Sequence, residues 1–227
     1  MRFLTILCLS HLVLEVACTL LFQQEVAQTE SLPPCTKISD VVYQTLVFMH
    51  AHLCEPKPLG GFMAKILMIT ATSDNNRALA DKFADSAREM GHEADVIDLV
   101  ELDMPMFSVA RSKELDTVPG MAELKAAMSG ADSWMIIAPE YNGSMPPTLN
   151  NAVAWLSTEW QDFRALFNRR KVGLATHSGG GGAHVIMAMR QMFSFLGCIV
   201  LGRSCISNKN KEANPETIED MLNQLTS

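Results

Sequence analysis

Trp134-Met135-Ile136-Ile137-Ala138-Pro139-Glu140-Tyr141-Asn142-Gly143-Ser144-Met145-Pro146-Pro147 carries the chain from a buried strand, through a polar turn, into a helix. Residues 134–138 are a short apolar run with two adjacent β-branched isoleucines, which suits a strand covered on both faces of a parallel sheet. Pro139 ends the strand because it has no N–H to give the ladder. Pro146 and Pro147 can open a helix, where a missing N–H costs little, and Leu149, Ala152, Val153 and Leu156 give that helix an apolar stripe. The polar turn therefore lies at the carboxyl end of a central strand, the place where open α/β sheets bind ligands.

Strand and helix signals alternate on both sides of this stretch. A strand at 65–70 precedes a helix at 76–90, whose Leu79, Ala80, Phe83, Ala87 and Met90 recur at helical spacing before Gly91. A strand at 93–99, a helix at 121–128 closed by Gly130, the helix at 146–160, a strand at 171–176, a helix at 183–196 and a strand at 198–201 follow. Asn214 as N-cap and Pro215 at the first helical position start the last helix. The alternation predicts an α/β fold, a doubly wound five-stranded parallel sheet with right-handed crossovers. A dinucleotide fold wants G-x-G-x-x-G after its first strand, but that turn is Ala71-Thr72-Ser73-Asp74-Asn75-Asn76 here. Hydroxyls and amides without glycine suit a single phosphate at a helix N-terminus, which favours the flavodoxin-like order 2-1-3-4-5.

Residues 139–146, followed by Leu149-Asn150-Asn151-Ala152 and Trp155, resemble the P-E-Y-N-x-S-x-P-x-x-L-K-N-A-x-x-W signature of the NADPH-dependent FMN reductase family, which includes quinone, azo-dye and chromate reductases. The likeness runs over residues 64–225. It implies FMN as cofactor, NADPH or NADH as hydride donor, a small-molecule electron acceptor (quinones, azo compounds, metal oxyanions or free flavin) and a homodimer or homotetramer. It also implies a flavin seat built from three loops: Thr72, Ser73, Asn75 and Asn76 at the phosphate; Pro139, Glu140, Tyr141, Asn142, Gly143 and Ser144 at the ring; and Ser178, Gly179, Gly180 and Gly181 against its other part. Asn142 and the backbone amides of residues 141–144 are the candidate donors that polarise the ring, and no catalytic acid is required. The Met104-to-Phe107 loop is a candidate apolar wall for the acceptor.

Two departures from the signature stand out. The family's first loop runs G-S-x-R-x-x-S-x-N-x-x-L-A; this chain is about three residues shorter there, has Ala71 for the glycine and lacks the loop arginine, leaving Arg77 as a substitute. Asn150 replaces the usual lysine. Two other readings of a flavin fold remain open at this point: an electron carrier without a nicotinamide site, and a non-catalytic flavin-binding module. Arg77, His177 and His184 also read as ordinary solvated residues, Met189, Met192, Phe193 and Leu196 as core, and Cys198 as a buried hydrophobe.

The 227 residues are 48% apolar, enough for a sizeable core, and the formal net charge of −7 with a pI near 5.3 argues against a nucleic-acid partner. Arg169-Arg170-Lys171 reads as a solvated helix end. Cys198 and Cys205 lack metal-ligand spacing, so neither a metal site nor a disulfide framework is indicated. Residues 1–62 differ from the rest. Phe3 to Phe22 is an apolar run, but Glu15 within it would cost roughly 2.5–3.5 kcal/mol at a bilayer centre. Residues 23–62 have linker-like composition, with Pro33-Pro34 and Pro56-Lys57-Pro58 before Gly60-Gly61. These residues are read as a non-domain N-terminal extension: a mis-assigned start, an anchor or a signal. Residues 63–227 are read as the flavodoxin-like FMN-binding domain, cytoplasmic and with no membrane partner of its own.

Overall fold

The computed structural model describes residues 63–158 and 162–227. The apolar run, the linker-like stretch before Met63 and Trp160 lie outside the described residues. The elements are β1 (Lys65–Thr70), α1 (Asn75–Glu89), β2 (Glu93–Asp98), α2 (Arg111–Glu114), α3 (Met121–Gly130), β3 (Ser133–Ile137), α4 (Pro147–Leu156), β4 (Lys171–His177), α5 (Ala183–Phe195), β5 (Ile199–Ser207) and α6 (Pro215–Thr226). The five strands form one parallel sheet in the order β2-β1-β3-β4-β5, the flavodoxin-like order expected from the glycine-free first turn.

The period-2 alternation of strand side chains divides the core into two layers. Leu67, Ile69, Trp134, Ile136, Val172 and Leu174 face one way and pack with Leu124 and Met128 of α3, Leu149 and Ala152 of α4, and Met189 and Phe193 of α5. Ile66, Met68, Met135, Ile137 and Ala175 face the other way and meet Leu79, Phe83 and Ala87 of α1 and Ile218, Met221 and Leu222 of α6. Each fully buried Val, Leu, Ile, Phe or Met among them contributes about 1.5–3 kcal/mol of transfer free energy. β3 is buried along its whole length, as a central parallel strand must be. At the start of α6 the Asn214 side chain accepts the Glu216 N–H at 2.8 Å, the cap that the Asn-Pro pair announces.

Three local readings need correction. β5 runs to Ser207, well past residue 201: Val172 pairs with Val200 but Leu174 with Ser204, so three residues of β5 oppose Gly173 alone. The Arg190 guanidinium secures this bulge by donating to the carbonyls of Leu201 at 2.6 Å and Gly202 at 3.2 Å. α4 stops at Leu156, capped by Ser157, four residues before the expected end. The Arg169-Arg170-Lys171 cluster is no solvated helix end, because the Arg170 guanidinium lies 5.1 Å from the centre of the buried Trp134 ring and donates to the Ala131 carbonyl.

The two described cysteines are free and buried. Burial pushes the Cys198 thiol up to about 12, and raises that of Cys205. Thiols held so firmly protonated are packing groups, the reading expected for Cys198. No helix among the described residues is long and apolar enough to cross a membrane.

Candidate functional site

β1, β3 and β4 are neighbours in the sheet, so the loops that follow them open side by side at its carboxyl edge. Side chains bind these loops to one another. Asn76 Nδ2 donates to the His177 carbonyl at 3.0 Å and the His177 N–H donates back to Asn76 Oδ1 at 2.9 Å, so the amide of a buried asparagine acts as a short extra strand beside β4. Thr148 Oγ1, on the first turn of α4, donates to the Ala71 carbonyl. The Glu140 N–H donates to Ser178 Oγ at 2.8 Å, and that buried hydroxyl lies 2.6 Å from Thr176 Oγ1. Glu140 Oε2 accepts the N–H groups of His184 at 3.0 Å and Val185 at 3.2 Å, capping α5 from another loop.

Residues 141–144 form a tight reversal. Tyr141 and Ser144 exchange both backbone hydrogen bonds at 2.9 Å, while Asn142 (φ 50°) and Gly143 (φ 71°) both occupy the left-handed region. That is a type I′ turn, for which Asn-Gly is the preferred pair. The geometry narrows the expected donors. The N–H groups of Glu140, Tyr141 and Ser144 are engaged within the protein, whereas the Asn142 side chain stands exposed with no hydrogen-bond partner among the described residues. Pro139 is the buried end of the strand, and Tyr141 is 48% exposed at the rim.

The glycines of the β4–α5 loop divide into two kinds. A Cβ on Gly182 (φ 67°) would lie 2.7 Å from Thr176 Cγ2, so the fold itself demands glycine there. Gly179, Gly180 and Gly181 are exposed, have no such backbone requirement, and a Cβ on any of them would meet nothing within 4 Å. Their bareness leaves an open face beside the 141–144 turn.

In the β1–α1 loop, Thr72 and Asn75 make no side-chain hydrogen bond among the described residues, but Ser73 Oγ donates a hydrogen bond to Asp98 at 2.9 Å. The start of α1 has no side-chain cap: Asp74 sits at the N-cap with φ 60° and ψ −121° and makes no capping bond. Its first-turn N–H groups are thereby open to an anion. Arg77 points elsewhere, held by Asp81 at 3.1 Å and Glu101 at 3.9 Å. Of the first-loop residues expected at a phosphate, Thr72 and Asn75 are free to serve, while Asn76 acts as a stitch to β4.

The fourth segment at this edge follows β2. Asn151 Nδ2 donates to the carbonyls of Met104 at 3.2 Å and Pro105 at 3.0 Å, its Oδ1 accepts the Phe107 N–H at 2.7 Å, and Trp155 Nε1 donates to the Pro105 carbonyl at 2.7 Å. The Phe107 and Trp155 rings meet edge to face at 5.1 Å. Met106 and Val109 are left 62% and 53% exposed beside this clamp.

Residues 64–212 match the NADPH-dependent FMN reductase family. The chain belongs to that family. It is 25% identical over 154 residues to an NAD(P)H-dependent FMN reductase of Schizosaccharomyces pombe, a match spanning 62% of this chain and 71% of the relative. It is 30% identical over 132 residues to a quinone reductase of Escherichia coli, over 55% of this chain and 69% of that one. In structure it resembles an oxidoreductase from Corynebacterium diphtheriae, with a TM-score of 0.58 at 18% identity over 72% of this chain and 95% of the other. This FMN reductase family member is accordingly an NAD(P)H-dependent oxidoreductase with FMN as its cofactor.

The residues present fit that cofactor: an uncapped helix start for a phosphate, an unpartnered Asn142 amide, and bare glycines where a flat ring can approach. The structure also gives the family signature a physical meaning. Asn151 and Trp155 brace the residue 104–107 loop, and Glu140 caps α5. Trp155, only 2% exposed, is therefore a core residue and not surface open to a subunit contact. Sequence reasoning missed Thr148 and the Ser73–Asp98 pair altogether. Threonine directly after two prolines was the available signal for the former; nothing local announced the latter.

Proposed function

We propose that this reductase passes two electrons from NAD(P)H through FMN to quinones or similar small acceptors, with azo compounds, metal oxyanions and free flavin as further members of the class. FMN, when bound, supplies the hydride-accepting and electron-passing chemistry. Every other part of the task is binding and orientation by the chain. Thr72, Asn75 and the first-turn N–H groups of α1 would hold the phosphate. Asn142 would donate to the ring, and residues 179–181 would let backbone approach it closely.

The observation that carries this reading is the open face over Gly179, Gly180 and Gly181, left between loops that Glu140 and Ser178 pin together. A site rigid at its sides and bare at its floor suits a planar ring and a second planar molecule above it. Met106 and Val109 supply an apolar wall for that second molecule, and the quinone reductase relative supports the acceptor class. The homodimer or homotetramer implied by the sequence signature belongs to the same proposal. Anaerobic NADPH and NADH oxidation, followed with and without a quinone, tests the reading. Fast turnover with quinone is expected; oxidation that no quinone, azo dye, metal oxyanion or free flavin accelerates would overturn it.

A further inference from the structure

The β1–α1 loop carries more negative charge than a phosphate seat would be expected to hold. Asp74 stands at the N-cap of α1, exposed, with no side-chain hydrogen bond and no ion pair among the described residues. With φ 60° and ψ −121° it makes no capping bond, so a negative charge stands at the helix start without engaging the first-turn N–H groups. Asp98, only 3% exposed, accepts a hydrogen bond from the Ser73 hydroxyl, which occupies Ser73 as a donor to an anion. The cation on the first turn of α1, Arg77, is neutralised by Asp81 and Glu101. What remains for an anion is the backbone N–H groups of α1, Thr72 and Asn75, with an unpaired carboxylate beside them.

We propose that Asp74 is a specificity-determining residue that offsets the attraction of the α1 N-terminus for the flavin phosphate, so that this reductase discriminates little between FMN and riboflavin and releases FMN readily. The inference rests on the assignment of the phosphate to this turn. A phosphate monoester carries about −1.5 to −2 charge at pH 7, and a carboxylate within a few ångströms in a partly solvated site opposes it with an energy comparable to the helix-terminus attraction. The flavin is then held chiefly by its ring, at the 141–144 turn and the residue 179–181 floor.

Fluorescence titration of FMN and of riboflavin into the full chain and three variants tests this. Asp74→Asn removes the charge and keeps a side chain that tolerates positive φ; it is expected to tighten FMN on the order of tenfold, leave riboflavin unchanged, and lose part of that gain in high salt. Asp74→Gly should give the same selective gain together with a higher thermal midpoint, because glycine relieves the backbone strain. Asn75→Asp places a second carboxylate on the same turn and should weaken FMN but not riboflavin. If Asn75→Asp weakens FMN selectively while Asp74→Asn leaves the FMN-to-riboflavin ratio as it was, the phosphate assignment stands and the role of Asp74 is overturned. A gain in Asp74→Gly without one in Asp74→Asn likewise overturns it, assigning the effect to backbone strain. If none of the three changes the ratio, the phosphate lies elsewhere and both readings fail.

Discussion

The Glu140 carboxylate accepts the backbone N–H of His184 at 3.0 Å, joining the turn after β3 to the first turn of α5 across 44 residues of sequence. The same oxygen takes the Val185 N–H, so two of the four orphan donors of α5 are satisfied by a side chain from another loop. A charged cap of this kind also meets the positive end of the helix dipole. Glu140→Ala should cost about 1–2 kcal/mol in urea unfolding, and Glu140→Gln less, because the amide oxygen can still accept. FMN affinity should fall in the same order, since the cap fixes the distance between two walls of the site. Equal stability of the wild type and Glu140→Ala would show that the cap does not hold the loops together.

Asn142 has two separable jobs, a left-handed backbone and a free amide. Glycine preserves the first and removes the second; alanine removes both, adding roughly 1–2 kcal/mol of left-handed strain. Asn142→Gly is therefore expected to unfold at the wild-type temperature while FMN affinity or hydride-transfer rate drops by about 1–3 kcal/mol. Asn142→Ala should lose on both counts. Wild-type flavin binding and turnover in Asn142→Gly would reduce Asn142 to a turn residue.

These two residues also show where sequence reading reached and where it stopped. The sheet order was legible because buried strands announce themselves as short apolar runs, and because the first turn lacks the dinucleotide glycines. Asn142-Gly143 is the dipeptide that a type I′ turn prefers, so the backbone role of Asn142 is readable beside its role as a donor. Contacts made across long sequence separations were not readable. Trp155 looks like surplus surface on a helical wheel because the Pro105 carbonyl and the Phe107 ring that cover it come 50 and 48 residues earlier. The β5 bulge was hidden for a related reason: Gly202 and Arg203 break the apolar run, and the strand continues through pairing of Ser204 to Ser207 with Leu174 to His177 of β4.

The β4–α5 glycines separate folding from ligand approach. Gly182→Ala puts a methyl 2.7 Å from Thr176 Cγ2 in a positive-φ backbone, and a loss of about 1–3 kcal/mol in stability is expected. Gly180→Ala adds its methyl to open space, so its unfolding midpoint should match the wild type. If the ring lies over this loop, Gly180→Ala should nevertheless bind FMN more weakly. Unaltered FMN affinity in that variant would move the ring away from residues 179–181.

The buried thiols give the fold a definite alkaline limit. Cys198 is held protonated to about pH 12 in the folded chain, whereas an unfolded cysteine ionises near 8.5. A folded-state value above the unfolded one means that its contribution is complete below about pH 8.5 and is progressively lost above it, as the unfolded chain releases its proton first. Denaturation midpoints should fall from about pH 8.5 upward, less steeply in Cys198→Ala after allowing for the cavity. Labelling of Cys198 by a thiol reagent at pH 8, read by peptide mapping, should be slow in the native protein and fast in urea. Rapid native labelling of Cys198 would contradict its burial.

The five strands and both core layers found among the described residues are built from residues after Met63, which is 60% exposed two residues before β1. Ala64 is already buried, and the Lys65 N–H is taken by Asp132 at 2.8 Å, so the fold begins its contacts at once. A chain beginning at Met63 is therefore expected to be soluble, to unfold in one cooperative transition and to bind FMN as the full chain does. Intact-mass analysis of protein from its own cells adds an independent check: a chain beginning near Met63 is one outcome, cleavage after the apolar run a second, and the full 227 residues in a membrane fraction a third. Aggregation of the shortened chain, with folding and flavin binding recovered only when residues 1–62 are restored, would place part of the domain before Met63.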